Sequence, residues 1–304
     1  MFNDQNKKSE FVNREYVGNF AQVEFDTYVN IGGGKEEVKT VSAKMHYVEQ
    51  GSGEPLILVH GITQSLYTYR KNIKELSQKY RVIAVDLLGY GYSEKADITY
   101  SVEENALSLE AFMNSLKIPS ANFCAFGESW AYVMDIVIHN PQRVKKAILV
   151  SPGFVTNNYP RSLRSLASPM GGLVGNSFSS PATIRKYLSD CFFDKTLVTD
   201  KLVKEYARPL AMPDTKQVLK RSFTAYDDRE IFQKLSNIQH DILLIAGVDD
   251  IMHGTDYAKH IREHLKHGYF EKFKNCGYFP HVEKYLKFNE LVVEFLNYQP
   301  ERES

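Results

Sequence analysis

The sequence has no excess of either charge, few cysteines and no long apolar run. Lysine plus arginine and aspartate plus glutamate number 37 each, so no net field favours nucleic acid or an anionic membrane surface. No apolar run approaches the roughly 18 residues of a membrane span. We therefore expect no nucleic-acid or membrane partner. A small molecule is the expected partner, and the chain is expected to be a monomer or a homodimer.

The three cysteines, Cys124, Cys191 and Cys276, are an odd number in a chain of 304 residues. That count argues against a disulfide framework and fits a reducing compartment. The first ten residues, MFNDQNKKSE, lack the basic-then-apolar order of a signal peptide. We expect reduced thiols and a cytoplasmic location.

Short apolar segments alternate with stretches suited to helices along most of the chain. Two alternating segments, 16–29 and 38–49, predict strands joined by a turn at 31–35. Apolar segments follow at 55–59, 81–85, 122–126, 146–150, 241–246 and 269–273. Because buried parallel strands are apolar on both faces, the pattern predicts an α/β fold with a mostly parallel eight-stranded sheet flanked by helices.

The pattern changes after the sixth predicted strand. Proline and glycine punctuate residues 162–181, and helical stretches such as 199–207 occur there without strands. We interpret residues 152–238 as an inserted helical cap over the carboxyl edge of the sheet. The core is then formed by residues 1–151 and 239–304.

A serine stands between small residues after the fifth predicted strand, in the segment Gly127-Glu128-Ser129-Trp130-Ala131. A nucleophile elbow needs small neighbours because its backbone turns sharply between a strand and a helix, and the turn leaves the hydroxyl exposed. The segment predicts Ser129 as a nucleophile, whereas a serine N-cap is the simpler interpretation of the motif alone. Glu128 is a second carboxylate, expected mainly to brace the surrounding loops.

The segment His60-Gly61-Ile62 follows the first of the short apolar strands. A loop at that place can aim the Ile62 amide at the same point as the Trp130 amide, and two such donors bind a developing oxyanion. For His60 itself, support of the loop by hydrogen bonds is the more ordinary role.

Together these motifs resemble the α/β-hydrolase superfamily, in pattern its epoxide-hydrolase, C–C-hydrolase and esterase branch. The resemblance covers residues from about 40 to 298 and includes the glycine-rich segment 86–93, Asp-Leu-Leu-Gly-Tyr-Gly-Tyr-Ser. A serine rather than an aspartate at 129 points away from haloalkane dehalogenases and true epoxide hydrolases. The resemblance implies hydrolysis of a carboxylic ester or lactone of a mostly apolar molecule through an acyl-enzyme on Ser129.

A serine nucleophile needs an imidazole base and a carboxylate that orients the imidazole. The resemblance implies that the acid is Asp250, at the fourth position of the turn 247–250. It also implies a catalytic histidine directly after Gly277, where this sequence has Tyr278. His281 is the favoured base in its place, and His253 is a further candidate.

Tyr278 leaves more than one function open. If His281 reaches Ser129, the chain is a serine hydrolase. If Tyr278 replaces the base, naturally or by a substitution, the chain is a catalytically impaired hydrolase-like binding protein or receptor. A lyase or transferase on the same fold is a third class, since a fold does not determine a reaction.

Aromatic residues crowd the segments expected to border the site. Tyr67 and Phe154 are predicted to line an apolar pocket with His60 and Gly61. The nine histidines show no metal-ligand spacing, and the glycine run 32–34 lacks the residues that complete a phosphate-binding loop. We expect no metal and no cofactor.

Overall fold

The computed structural model describes residues 18–32, 35–153 and 176–299. Eight strands in these residues form one sheet in the order β1-β2-β4-β3-β5-β6-β7-β8. The predicted fold class is confirmed. The strands are β1 (Asn19–Gly32), β2 (Lys35–Gln50), β3 (Pro55–Val59), β4 (Arg81–Val85), β5 (Ala121–Phe126), β6 (Val144–Val150), β7 (Ile242–Gly247) and β8 (Gly268–Phe273).

Helices fill the connections between the parallel strands and cover both faces of that part of the sheet. The α-helices of the described residues are α1 (Ile73–Leu76), α2 (Val102–Ser115), α3 (Ser129–His139), α4 (Pro181–Cys191), α5 (Asp200–Leu210), α6 (Thr215–Ala225), α7 (Arg229–Lys234), α8 (Gly254–His264), α9 (Pro280–Glu283) and α10 (Tyr285–Asn297).

The sheet has two parts that differ in burial. β1 and β2 form an antiparallel pair, and Ala21, Val23 and Phe25 are buried while the residues between them are exposed. This alternation leaves one face of the pair in solvent. The strands from β3 to β7 are parallel and almost wholly buried, because helices cover both of their faces.

The described residues between β6 and β7 contain helices and no strand. Helices α4 to α7 lie there, between the end of β6 at Val150 and the start of β7 at Ile242. These helices fall within the segment predicted as a cap. The bounds 152–238 and the division of the chain into core and cap stay a prediction.

Asp86 ties the carboxyl end of β4 to its neighbours. Its carboxylate accepts hydrogen bonds from the His46 ring at 2.8 Å, the Leu66 amide at 2.7 Å and the Tyr92 amide at 3.0 Å. Gly91 has a φ of +50° and lies against this carboxylate with no room for a side chain. The glycine-rich segment 86–93 therefore holds the loop that follows β3 in place.

Within residues 18–32, 35–153 and 176–299, no helix combines the length and the apolar character that crossing a bilayer requires. The same residues contain no group of three or more His, Cys, Asp or Glu side chains placed to hold a metal ion. Cys124, Cys191 and Cys276 are buried free thiols.

Candidate functional site

The chain reverses between β5 and α3 at Gly127. This residue has a φ of +63°, in the left-handed region that glycine adopts without a steric penalty. Glu128 already has helical backbone angles, and Ser129 is the first residue of α3. A nucleophile elbow carries its nucleophile on the strained residue of the strand-to-helix turn. In this chain that residue has no side chain.

The Ser129 hydroxyl is buried and donates to backbone carbonyls. Its oxygen lies 2.9 Å from the Phe126 carbonyl oxygen and 3.1 Å from that of Val59, so it joins β5 to β3. The exposed fraction of Ser129 is 0%. The predicted role of Ser129 as the nucleophile is therefore wrong, because its hydroxyl serves the backbone and is not presented at the turn.

The sequence contains two registers for the elbow. Ala125, Gly127 and Ser129 repeat the small-residue spacing of the predicted motif two positions earlier in the chain. β5 ends at Phe126, where the sequence predicts it to end, and a turn directly after Phe126 falls at Gly127. The turn residue can be identified from the sequence by asking which of the two candidates, Gly127 or Ser129, directly follows the predicted end of β5.

Glu128 occupies the position predicted for a bound oxyanion. Its Oε2 accepts a hydrogen bond from the Ile62 amide at 3.1 Å. A Cβ on Gly61 would lie 2.8 Å from this oxygen, so glycine at 61 leaves the space that the carboxylate fills. The Trp130 amide donates to the Gly127 carbonyl at 3.3 Å, inside the turn. The predicted oxyanion donor at Trp130 is therefore wrong, and the Ile62 amide already binds a carboxylate of its own chain.

Tyr278 fills the space beside the turn. A Cβ on Gly127 would lie 2.5 Å from the Tyr278 hydroxyl oxygen. The Tyr278 amide donates to the Cys191 carbonyl at 2.8 Å, which fixes the backbone that carries the ring. Burial, and next the charge of Glu128, raise the pKa of the phenol well above its usual value of 10. The phenol keeps its proton at neutral pH and is a hydrogen-bond donor.

His281 is held away from a role as base. Its Nε2 lies 2.7 Å from the Thr68 hydroxyl, and its ring packs on Phe126 with 4.6 Å between ring centroids. Burial, and next the charge of Arg70, lower the pKa of His281 well below 6.5. The predicted role of His281 is wrong, because Thr68 binds this nitrogen and the Ser129 hydroxyl bonds to two carbonyls.

His253 faces the Glu128 carboxylate. Its Nε2 lies 3.9 Å from Glu128 Oε1, and its ring meets the Tyr278 ring edge-on with 5.3 Å between centroids. Burial lowers the pKa of His253 to about 3, so the imidazole is neutral near pH 7. Gly153 lies so close to this ring that any Cβ there would overlap it.

Asp250 follows β7 and is almost fully buried. Its Oδ1 accepts hydrogen bonds from the Met252 amide at 2.7 Å and the His253 amide at 3.4 Å, whereas Oδ2 has no hydrogen-bond partner among the described residues. Burial raises the pKa of Asp250 to about 7. The role of Asp250 as the acid of a triad stays a prediction, and within the described ranges no imidazole forms a hydrogen bond with Oδ2.

His60 supports the backbone. Its Nε2 accepts a hydrogen bond from the Leu87 amide at 3.0 Å, so its Nδ1 carries the proton and donates to the Gly61 carbonyl at 2.8 Å. Burial lowers the pKa of His60. The predicted substrate contact of His60 is wrong, because both ring nitrogens bond to the backbone. Gly61 contributes space for Glu128 and no surface for a substrate.

Tyr67 is also engaged within the protein. The Arg70 guanidinium lies over its ring, 4.7 Å from the centroid, and Tyr206 packs against it edge-on. These contacts hold the Tyr67 ring in place, and its predicted substrate contact stays a prediction. Phe154 lies outside the described residues.

Five tyrosines, four of them buried and Tyr226 partly buried, lie close enough to Glu128 for its charge to act on them. Burial is the largest cause that raises the pKa of each phenol, and the Glu128 charge raises it further. Protonated phenols are neutral hydrogen-bond donors, so the carboxylate has polar, uncharged neighbours. These residues are Tyr90, Tyr132, Tyr187, Tyr226 and Tyr278.

Three buried polar atoms without a hydrogen-bond partner lie on loops at the same edge of the sheet. They are Gln64 Oε1 after β3, Ser151 Oγ after β6 and Asp250 Oδ2 after β7. These parallel strands bring their carboxyl ends to one edge. Buried polar atoms nearly always have a partner, so each of the three requires one that the described residues do not supply.

Comparisons with known proteins agree with this architecture. A family model described as alpha/beta hydrolase fold matches residues 54–285. A 2-hydroxy-6-oxo-2,4-heptadienoate hydrolase from Pseudomonas putida is 24% identical over 266 residues, which cover 84% of this chain and 93% of that protein. The structure of a meta-cleavage product hydrolase from Pseudomonas fluorescens is similar with a TM-score of 0.73 at 24% identity, covering 84% of this chain and 94% of that one. An enol-lactonase from Burkholderia xenovorans is similar with a TM-score of 0.70 at 18% identity, covering 90% and 100%.

Proposed function

Since the chain belongs to the alpha/beta hydrolase family, we propose that it binds a small, mostly apolar carbonyl compound at the sheet edge beside Gly127 without forming an acyl-enzyme there. The observation that carries the proposal is the pair formed by Gly127 and Tyr278. The residue at the strained turn has no nucleophilic atom, and a phenol occupies the space in which a side chain would stand.

The unpartnered polar atoms support a binding role. In open α/β sheets, ligands bind outside the carboxyl ends of the strands. Gln64, Ser151 and Asp250 each bring an unsatisfied polar atom to that edge. A ligand carbonyl can accept from the Ser151 hydroxyl or from a protonated Asp250 carboxyl, whereas Gln64 Oε1 needs a donor such as a ligand hydroxyl. Burial of a carboxyl group is costly without such compensation, and perturbed carboxyl groups are concentrated at functional sites.

The competing function is hydrolysis of an ester or lactone through Ser129. The names of the similar proteins favour it, since those proteins are named as hydrolases and a lactonase. The geometry opposes it. Attack by Ser129 requires its hydroxyl to leave the carbonyls of Val59 and Phe126 and to find a base, and His281 is hydrogen-bonded to Thr68.

Two measurements on the whole chain separate these functions. The first is hydrolysis of p-nitrophenyl acetate together with covalent labelling by a fluorophosphonate, a probe for activated serines. We expect neither to exceed the level seen with the Ser129→Ala variant, because the hydroxyl is not activated. The second is calorimetric titration with β-tetralone, an apolar ketone. We expect saturable binding, equal in the wild type and in Ser129→Ala.

The opposite results would indicate that the chain is a serine hydrolase. Labelling of the wild type that Ser129→Ala abolishes shows an acyl-enzyme nucleophile. Absence of β-tetralone binding removes the support for a carbonyl site at this edge.

A further inference from the structure

We propose that the cleft between the loop after β3, the start of α5 and the segment 282–285 binds an anionic ligand with an apolar body, of the class of an aryl phosphate monoester. Gly127, Tyr278 and Asp250 do not line this cleft, so the site is separate from the carbonyl site. The inference gives a role to three basic side chains that the carbonyl site does not use.

The cleft is formed by three segments that are far apart in the sequence. Its lining residues come from 67–71, 197–202 and 282–285, and its volume is about 400 Å³. Small-molecule pockets span roughly 300 to 1,000 Å³, so the cleft is large enough for a small ligand. Because these side chains line one space, a single ligand can contact all three segments.

Three basic side chains line the cleft and have no ion-pair partner among the described residues: Arg70, Lys71 and Lys201. The Arg70 guanidinium lies 4.7 Å from the Tyr67 ring centroid and donates to the Tyr67 carbonyl at 3.3 Å. Lys71 Nζ lies 5.2 Å from the Tyr285 ring centroid. A ring face attracts a cation without using up its N–H donors, so both groups keep donors for an anion.

Glu283 also lines the cleft, but backbone amides already bind both of its oxygens. Oε1 accepts from the Gly277 amide at 2.8 Å, and Oε2 accepts from the Phe193 and Asp194 amides at 2.9 and 3.1 Å. This carboxylate forms no ion pair with a described basic side chain. Three cations against one engaged carboxylate leave a net positive charge in the cleft, which attracts an anion.

The cleft also offers a hydroxyl donor and an apolar wall. The Thr199 oxygen accepts from the Leu202 amide at 3.2 Å, which leaves the Thr199 O–H to donate to a ligand. Leu197, Leu202 and Val282 form the aliphatic part of the lining, and Leu197 is 38% exposed. An aromatic ring bound there would cover apolar surface of Leu197 that now meets water.

A phosphate monoester matches these groups better than a carboxylate does. It carries about two negative charges at neutral pH and three acceptor oxygens, whereas a carboxylate carries one charge. The fork of Arg70 can bind two phosphate oxygens at once, and each lysine adds one ammonium group. The three cations therefore favour a dianion, and the apolar wall favours an aryl group on the ester oxygen.

Calorimetric titration of the whole chain with 1-naphthyl phosphate tests the inference. We expect saturable binding that weakens as salt is added, because the basic side chains are near the surface. Arg70→Gln is expected to raise the dissociation constant at least about 10-fold, since it removes charge-assisted hydrogen bonds. Lys74→Gln is the matched control, because it removes the same charge from an exposed side chain of α1 outside the cleft. It is expected to change the constant by less than about twofold.

Three further measurements sharpen the outcome. Lys201 is exposed, so Lys201→Gln removes a charge of the cleft without disturbing packing, and it is expected to raise the dissociation constant about threefold. The chain saturated with β-tetralone is expected to bind 1-naphthyl phosphate with an unchanged constant, because the two sites are separate. Inorganic phosphate is expected to bind at least about 10-fold more weakly than the ester, because it has no aryl group.

Several results would overturn the site, and each has a distinct meaning. Without saturable binding of 1-naphthyl phosphate the site does not exist, and equal losses in Arg70→Gln and Lys74→Gln assign binding to general surface charge. Competition with β-tetralone places the ester in the carbonyl site. Inorganic phosphate that binds as tightly as the ester excludes the aryl group from recognition. If circular dichroism shows that Arg70→Gln is unfolded, the comparison of Lys201→Gln with Lys74→Gln decides. A chain that does not bind β-tetralone but binds the ester loses only the carbonyl-binding function.

Discussion

The hydroxyl oxygen of Tyr278 lies 2.5 Å from the point at which a Cβ atom on residue 127 would stand. Real Cβ atoms do not make so short a contact, so residue 127 is restricted to glycine while Tyr278 keeps its hydroxyl. The φ of +63° is a second restriction, since it belongs to the left-handed region. Shortening Tyr278 removes the first restriction and not the second.

A double-mutant cycle on this pair measures the contact. Gly127→Ala is expected to lower the free energy of unfolding by about 2 to 5 kcal/mol, the sum of a left-handed penalty and an overpacking penalty. In a Tyr278→Phe background, the nearest ring atom lies 3.7 Å from the new Cβ, and the expected loss falls to about 1 to 2 kcal/mol. Urea unfolding of the wild type, the two single variants and the double variant gives the coupling free energy between residues 127 and 278. Equal losses in both backgrounds would mean that the hydroxyl does not cover residue 127.

Removal of the Ser129 hydroxyl is expected to affect stability more than chemistry. Ser129→Ala loses the hydrogen bonds to Val59 and Phe126, so the free energy of unfolding should fall by about 1 kcal/mol. Denaturant titration monitored by circular dichroism checks the value. A variant as stable as the wild type would show that the hydroxyl does not hold the two strands together.

Asp250 makes stability fall as the pH rises. Its pKa is about 7 in the folded chain because of burial and near 3.8 when exposed, so between these values the folded chain keeps a proton that the unfolded chain has lost. The free energy of unfolding therefore decreases from about pH 4 to about pH 7 by up to the order of 4 kcal/mol, and this contribution is constant above that window. Asp250→Asn removes this slope. If the free energies of unfolding of the wild type and of Asp250→Asn differed by the same amount from pH 4 to pH 8, the raised pKa of Asp250 would be contradicted.

His253 has the opposite dependence. Burial lowers its pKa to about 3 in the folded chain, against 6.5 when exposed, so the unfolded chain binds a proton first as the pH falls. The free energy of unfolding is expected to decrease as the pH falls from about 6.5 towards 3. His253→Gln removes this loss. Acid unfolding followed in both proteins checks it, and parallel curves would indicate a solvated imidazole.

His281 is expected to contribute to packing and not to turnover. His281→Ala removes a buried ring that contacts Phe126 and bonds to Thr68, so the free energy of unfolding should fall by about 2 to 4 kcal/mol. Binding of β-tetralone by the folded variant should match that of the wild type. Loss of binding at full folding would assign His281 to the site.

The strands were the most predictable part of the molecule. β3 and β4 begin and end where the apolar runs 55–59 and 81–85 begin and end, because strands buried on both faces leave no polar residue inside the run. β1 begins at Asn19 and ends at Gly32 where 16–29 was predicted, and β2 begins at Lys35 where 38 was predicted. An antiparallel pair with one face in solvent tolerates polar residues, so its ends are weakly marked in the sequence.

The site was less predictable because its chemistry depends on which of two residues, Gly127 or Ser129, stands at the turn. Small residues at 125, 127, 129 and 131 satisfy the elbow pattern twice. The end of β5 at Phe126 and the backbone angle of Gly127 together separate the two alternatives. Tyr278 was the visible departure from the family pattern, and it stands beside the turn. The hydrogen bond from the Ile62 amide to Glu128 joins residues 66 positions apart, and no local sequence pattern predicts it.

The pairs of glycines and large side chains make the order of mutation matter. Tyr278 and His253 can each shrink without a clash, whereas Gly127 and Gly153 can acquire a side chain only after these partners have shrunk. Gly61 is blocked by the Phe126 carbonyl oxygen as well as by Glu128. A descendant of this chain that acquires a hydroxyl at residue 127 must therefore pass through an intermediate that has already lost the Tyr278 phenol. Fewer orders of substitution therefore lead away from this arrangement than lead to it.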